Sequence, residues 1–158
     1  LGDSNNWREL KFINGAIDFI KFAQEKLYKF VLITNQPGIS KSFFSEDELY
    51  ETHSAIQQSL IRNKCSPLVS IHYCPHHPEK GHKNEIKELK IDCKCRKPKN
   101  GLFYEFKDKF NPIIKDYFYI GNNESDLEFG NNIKAKTFIV NNKSFKEATT
   151  FEKIKNYL

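Results

Sequence analysis

Four residues with metal-binding chemistry fall in two tight pairs. Cys74 and His76 stand two apart in Cys74-Pro75-His76-His77-Pro78-Glu79, and Cys93 and Cys95 stand two apart in Cys93-Lys94-Cys95-Arg96-Lys97-Pro98. Sixteen residues separate His76 from Cys93. Structural zinc takes four Cys and His ligands in a tetrahedron. Its binding energy, on the order of 10–16 kcal/mol in small zinc peptides at neutral pH, can offset the entropy of closing such a loop. The spacing therefore predicts a zinc knot, with His77 as the alternative to His76; the competing reading is buried thiols and surface histidines with no ion. Cys65 stands alone near a helix end and reads as a packed or free thiol. His53 on the apolar face of a helix and His72 on a strand read as core or edge residues.

Two further groups carry possible phosphate chemistry. Arg96 has a planar fork that matches phosphate oxygens, and Lys97 supplies a compact charge directly after the last cysteine. Thr34-Asn35-Gln36 offers a hydroxyl and backbone N–H groups just past an apolar run, where a phosphate can be cradled. Each alone would be a solvated loop or surface patch; their combination beside a rigid knot is more specific. The third group, Gly121-Asn122-Asn123-Glu124-Ser125-Asp126, follows another apolar run. Carboxylates at such a position suit Mg²⁺, which prefers hard oxygen ligands. Only Glu124 and Asp126 are acids, and a polar turn with a helix N-cap at Ser125 or Asp126 explains the spacing equally well.

The elements that would position these residues alternate. Ala16 opens a helical pattern with Ile17, Phe19, Ile20, Ala23 and Leu27 on one face. Phe30 to Ile33 is a wholly apolar run, as in a parallel strand buried on both faces, ending in the loop Thr34 to Gly38. Ser45-Glu46-Asp47-Glu48 is a capping box for a helix carrying Leu49, His53, Ile56 and Leu60. Val69 to Tyr73 reads as a strand into the Cys74 loop. Glu79 to Asp92 is a charged insert, expected to be a solvated loop. Asn100 to Phe110 reads as a helix, Tyr117 to Ile120 as a buried strand, Lys136 to Val140 as another, and Phe151 to Leu158 as a terminal helix. Alternation of this kind predicts an α/β fold with a parallel sheet between helices, and ligands at the carboxyl ends of the strands.

The chain has 158 residues, which predicts a single domain, residues 1–158. Its 25 basic residues are mostly lysines scattered among 20 acids, with arginine only at 8, 62 and 96. That argues against a nucleic-acid stripe, although a zinc-knuckle nucleic-acid module remains a competing class. No run approaches a membrane span of about 18 apolar residues. No signal peptide is visible in Leu1 to Trp7, so a cytoplasmic protein with metal-bound or free thiols is expected.

Together, Phe30 to Ser40, Cys74 to Glu79, Cys93 to Pro98 and Gly121 to Asp126 resemble successive motifs of one family. It is the D-glycero-D-manno-heptose 1,7-bisphosphate 7-phosphatases, with their histidinol-phosphatase relatives, in the haloacid-dehalogenase-like superfamily. The resemblance runs from about Phe12 to about Val140, and its most specific part is the zinc loop with Arg96-Lys97-Pro98. It implies a Rossmann-like sheet and a Mg²⁺-dependent sugar-phosphate phosphatase working through an aspartyl-phosphate in a surface-polysaccharide pathway. By motif match, Thr34 and Lys97 would hold the transferring phosphoryl group. Asn35, Gln36, Pro37, Arg96 and Asn123 would contact substrate. Cys74, His76, Cys93 and Cys95 would hold structural Zn²⁺, and Asn122 would be a weak Mg²⁺ ligand where the family has Asp. The expected partner is a small phosphorylated sugar, with no nucleic acid and no membrane, and a monomeric protein.

Two departures qualify this. The family's nucleophile motif, Asp-x-Asp-Gly after an apolar first strand, is absent, and Leu1-Gly2-Asp3-Ser4 resembles the segment that follows it. A chain lacking about the first twenty residues is expected, with the attacking Asp outside it. Asn122 brings no charge to a Mg²⁺ site. The alternatives are a histidinol-phosphate phosphatase and an inactive homologue that binds sugar phosphate or a partner enzyme.

Overall fold

The computed structural model describes residues 10–79 and 81–158, so Asp3 and its neighbours lie outside the described residues. Helix α1 (Ala16–Glu25) starts at Gly15, whose φ of 79° suits glycine. It stops where Leu27 turns left-handed and Tyr28 N–H reaches back to the Ala23 carbonyl. Strand β1 (Val31–Asn35) follows, then α2 (Glu46–Arg62) and β2 (Ser70–Cys74). The capping box is formed: Ser45 accepts from Glu48 N–H, and the Glu48 carboxylate accepts from Ser45 N–H at 2.7 Å. After the metal loop come α3 (Gly101–Phe110), β3 (Phe118–Gly121), α4 (Glu124–Asn132), β4 (Lys136–Ile139) and the short α5 (Phe151–Ile154).

The strands are parallel, as expected, with β1 paired to β2 and β3 to β4. Helices cover both faces. Phe30 and Leu32 face the α1, α2 and α5 side, together with Ile120 and Phe138. Ile33 and Tyr119 face the opposite side, against Phe103 of α3 and Phe129 of α4.

Three features differ from the sequence reading. Among the described residues the sheet is two separate pairs, β1–β2 and β3–β4, rather than one ladder. The Phe30 carbonyl and Gln36 N–H bond toward β2. By alternation Val31, Ile33 and Asn35 turn their backbone groups to the other edge, and Ile120 does the same in β3. With one edge open, Val31 to Ile33 are half-buried rather than fully buried. Second, Thr34 and Asn35 are strand residues, because β1 and β2 stay in register to Asn35 opposite Cys74.

Third, the charged insert is docked at one side, although most of its residues stay exposed as in the expected solvated loop. It carries a 3₁₀ turn, Lys87–Leu89. Ile86 N–H bonds the Ser40 carbonyl at 2.8 Å, Ser42 Oγ bonds the Asn84 carbonyl at 2.5 Å, and the His82 ring meets Phe43 edge-on. Within the insert Lys90 pairs with Glu85, both largely buried. This pair offsets the burial of its two charges, while Lys83, Lys87 and Glu88 stay exposed. No described helix is long and apolar enough to cross a membrane.

Replacing Ser45 with Ala removes the acceptor for Glu48 N–H. The expected cost is about 1 kcal/mol, a fall of about 2–4 °C in Tm for a chain of this size, measured by circular dichroism.

Candidate active site and metal knot

Cys74 ends β2, so the first metal-binding residue is fixed by the sheet itself. Its sulfur lies 3.4 Å from Cys93 Sγ and 3.1 Å from Cys95 Sγ, and His76 Nδ1 lies 3.5 Å from Cys74 and 3.2 Å from Cys95. All four ligand atoms fall within 4.8 Å of one another. A tetrahedron with Zn–S of about 2.3 Å has edges of about 3.7 Å, so the cluster is a slightly contracted version of that figure. The donor set and its shape fit Zn²⁺.

His76, not His77, faces the sulfurs. His77 is buried, with Nε2 3.6 Å from Glu79 and Nδ1 unpartnered. Burial, then the cations Lys41 and Arg96, lower its pKa against the opposing pull of Glu79. Burial pushes the Cys74 and Cys95 thiols up. Burial also opposes ionisation of Cys93, but hydrogen bonds from Cys95 and from Arg96 N–H outweigh it and bring this thiol down. Three sulfurs this close cannot all be anionic without a cation among them, and a zinc ion held by them would supply that charge.

The other solitary residues behave as packing. Cys65 is buried beside Leu60. His53 is half-buried, and burial lowers its pKa. His72 is buried in β2 between Glu105 Oε1 at 2.9 Å and Ser70 Oγ at 3.0 Å.

The knot aims Arg96 and Lys97. Arg96 N–H bonds Cys93 Sγ, and its Nη1 donates to the His76 carbonyl at 3.1 Å. Gly101 approaches so closely that a Cβ there would sit 2.5 Å from the Lys94 carbonyl oxygen, which ties the start of α3 to the knot. Asn35 then grips the Lys97 backbone from both sides: its Oδ1 accepts from Lys97 N–H at 2.9 Å and its Nδ2 donates to the Lys97 carbonyl at 3.1 Å. Thus Thr34-Asn35 at the end of β1 and Arg96-Lys97 after the knot meet, as their placement at the strand ends predicts. Thr34 Oγ1 accepts from Gln36 Nε2 at 3.2 Å, and Pro37 starts the turn beside them.

Lys97 Nζ reaches across to the other strand pair. It donates to the Ile33 carbonyl at 3.3 Å, Tyr119 Oη at 3.0 Å and Asp126 Oδ1 at 2.6 Å. Both charged side chains are nearly closed off from solvent, 10% and 5% exposed. Burial by itself would raise the Asp126 pKa, but the Lys97 charge and hydrogen bond, Asn122 N–H and Tyr119 outweigh it and hold the carboxyl below its ordinary range. Gly121 makes room for this, since a Cβ there would lie 2.2 Å from Asp126 Cβ.

The Gly121–Asp126 stretch departs from its expected roles. The α4 N-cap is Asn123, not Ser125 or Asp126: Asn123 Oδ1 accepts from Asp126 N–H at 3.0 Å and from Ser125 Oγ at 2.8 Å. Asp126 is spent on Lys97, Tyr119 and Asn122 N–H. Asn122 is exposed, its carbonyl taken by Asn142 Nδ2 at 2.5 Å. Among the described residues the only cluster of metal-ligating groups is the Cys–His knot. These residues therefore do not by themselves complete a Mg²⁺ site. Tyr119, Asn142 and the Asp126–Lys97 pair were missed in the sequence; the alternation of Tyr117, just before β3, with Tyr119 within it was the available signal.

The helix-flanked parallel strands and this strand-end site define the class of haloacid-dehalogenase-like phosphatases. A D,D-heptose 1,7-bisphosphate phosphatase from B. bronchiseptica, solved with magnesium and phosphate, aligns over 86% of this chain and 69% of its own with a TM-score of 0.70 at 21% identity. A HAD-like protein from Mesorhizobium loti aligns over 89% of this chain and 65% of its own, with a TM-score of 0.74 at 18% identity. Both establish the fold. The chain belongs to the polynucleotide kinase 3 phosphatase family, whose model matches residues 2–145. It is 36% identical over 126 residues to the D-glycero-β-D-manno-heptose-1,7-bisphosphate 7-phosphatase of Haemophilus influenzae, a match that covers 80% of this chain and 65% of that relative.

About one equivalent of zinc per chain is expected by elemental analysis, and stripping it with a chelator should lower Tm and loosen the Arg96–Lys97 segment in hydrogen exchange. Asp126→Asn should destabilise the protein at neutral pH by about 3–5 kcal/mol, as for one partner lost from a buried ion pair. Because the folded-state pKa of Asp126 is depressed, its contribution is fully present above the unfolded value of about 3.9. It fades only as pH falls through the lower, folded value. Denaturant melts of both proteins should therefore converge in acid.

Proposed function

We propose that this chain binds the phosphoryl group in a Mg²⁺-dependent sugar-phosphate phosphatase that removes the 7-phosphate of a D-glycero-D-manno-heptose 1,7-bisphosphate. The observation that carries this reading is the convergence of Thr34, Asn35, Arg96 and Lys97 at one strand edge, in a chain 36% identical over 126 residues to a heptose bisphosphate phosphatase. Lys97 is the cation that neutralises the phosphoryl oxygens, and Thr34 cradles them through its hydroxyl and backbone. Arg96, aimed by the zinc knot, recognises the substrate, with Gln36, Pro37 and Asn123 at the rim. Asn35 acts through Lys97 by fixing its backbone. The sugar is a soluble cytoplasmic metabolite destined for surface polysaccharide.

The attacking aspartate is assigned to a strand that fills the open edges of β1 and β3. Its carboxylate oxygen bonds phosphorus as the bond from phosphorus to the sugar oxygen breaks, and that oxygen takes a proton from a neighbouring acid. Water then attacks phosphorus, giving a proton back to that acid, and the bond from phosphorus to the carboxylate oxygen breaks, which frees phosphate and restores the carboxylate. The B. bronchiseptica relative was solved with magnesium and phosphate, and magnesium held here would supply charge neutralisation. Asn122 is the residue assigned to it by motif match, and no step is routed through the ion.

A form of the protein extended at its N-terminus by a strand bearing Asp-x-Asp-Gly is expected to release inorganic phosphate from the heptose bisphosphate with Mg²⁺. Lys97→Ala should lower kcat by at least about 100-fold, the scale of one lost charge-stabilising donor. The reading fails if neither the heptose bisphosphate nor histidinol phosphate is hydrolysed, or if the Lys97 variant keeps its rate.

A further inference from the structure

An ammonium has three N–H groups, and all three of Lys97 are already directed to acceptors inside the protein. A phosphoryl oxygen can gain a hydrogen bond from Lys97 only if one acceptor gives way. Asp126, at 2.6 Å and oppositely charged, holds the shortest of the three contacts. The Ile33 carbonyl, at 3.3 Å, is fixed main chain on the open edge of β1.

Tyr119 differs from both. Its Oη accepts from Lys97 at 3.0 Å and donates to Asp126 Oδ1 at 2.9 Å, closing a triangle over the Lys97–Asp126 pair. Its ring is wedged against Phe129, with centroids 4.8 Å apart, so the hydroxyl does not wander. Burial, and then the neighbouring Asp126 charge, keep that hydroxyl protonated and able to donate. When Lys97 turns one N–H toward an incoming oxygen, Tyr119 can lose its bond from Lys97 and still satisfy Asp126.

We propose that Tyr119 is a positioning residue for the phosphate-binding cation: it holds Lys97 Nζ at the strand edge and releases it one hydrogen bond at a time as a phosphoryl oxygen arrives. This rests on the reading of Lys97 as that cation. Phenylalanine at 119 keeps the ring that packs on Phe129 and deletes only the hydroxyl.

The test uses inorganic phosphate, titrated by calorimetry into the native protein, Tyr119→Phe and Lys97→Ala, with thermal melts as a fold control. Phosphate affinity should fall about five-fold in Tyr119→Phe, the scale of one lost hydrogen bond, and vanish in Lys97→Ala. Native-like affinity in Tyr119→Phe with none in Lys97→Ala overturns the positioning role and leaves the Lys97 reading standing. Native-like affinity in both variants, or no phosphate binding by the native protein, overturns the Lys97 reading and this inference with it. A second measurement needs no variant: with tyrosine ¹³C-labelled at Cζ, phosphate should shift the Tyr119 signal together with the Lys97 ammonium signal. A Lys97 signal that moves while Tyr119 stays still counts against the proposal.

Discussion

The buried contact between Lys97 and Asp126 is what the rest of the site depends on. Two charges removed from water are tolerable only when each is met by the other and by further hydrogen bonds. Here Tyr119 and Asn122 N–H complete the shell of Asp126, and Ile33 and Tyr119 complete that of Lys97. The pair spans the two strand pairs, since Lys97 is anchored to β1 through Asn35 while Asp126 rises from α4 beside β3. Breaking it would leave a charge without a partner in the middle of the molecule and would remove a polar link between the halves of the sheet, which the packing of Phe30 with Ile120 and of Ile33 with Tyr119 also joins.

Much of this was legible in the sequence, for reasons that can be stated residue by residue. Ser45 and Glu48 announced α2 because capping is local chemistry. The Phe30–Ile33 and Tyr117–Ile120 runs announced parallel strands because apolar residues on both faces call for helices on both faces. Cys74, His76, Cys93 and Cys95 announced a knot because paired soft ligands seldom serve another purpose in that spacing. What failed to show were the contacts that depend on distant partners. Nothing near Asp126 says that it will be claimed by a lysine twenty-nine positions earlier rather than by a metal. Asn35 looked like a pocket residue, but its amide matches the Lys97 backbone. Glu85 and Lys90 looked like ordinary surface charges until their pairing allowed the insert to fold against Ser40.

The insert and the knot make one assembly. Cys74 is the last residue of β2 and the register partner of Asn35, while the insert returns from the knot to the loop just beyond Asn35. A disturbance at any of the three is therefore felt at the others through a few main-chain hydrogen bonds. That explains how a metal far from any chemistry of its own can govern the placement of Arg96 and Lys97.

The crowding of the sulfurs has a redox consequence. Cys74, Cys93 and Cys95 lie within 3.4 Å of one another, and Cys93 ionises more readily than an ordinary thiol. Thiolates are the species that oxidants attack. Deprived of its ion, the knot places a thiolate-forming sulfur against two neighbours, the arrangement that closes into a disulfide. A bridge between any two of these sulfurs would remove ligands the ion needs. An ion held there would shield the thiols as well as shape the loop, so metal and oxidant would compete for the same sulfurs.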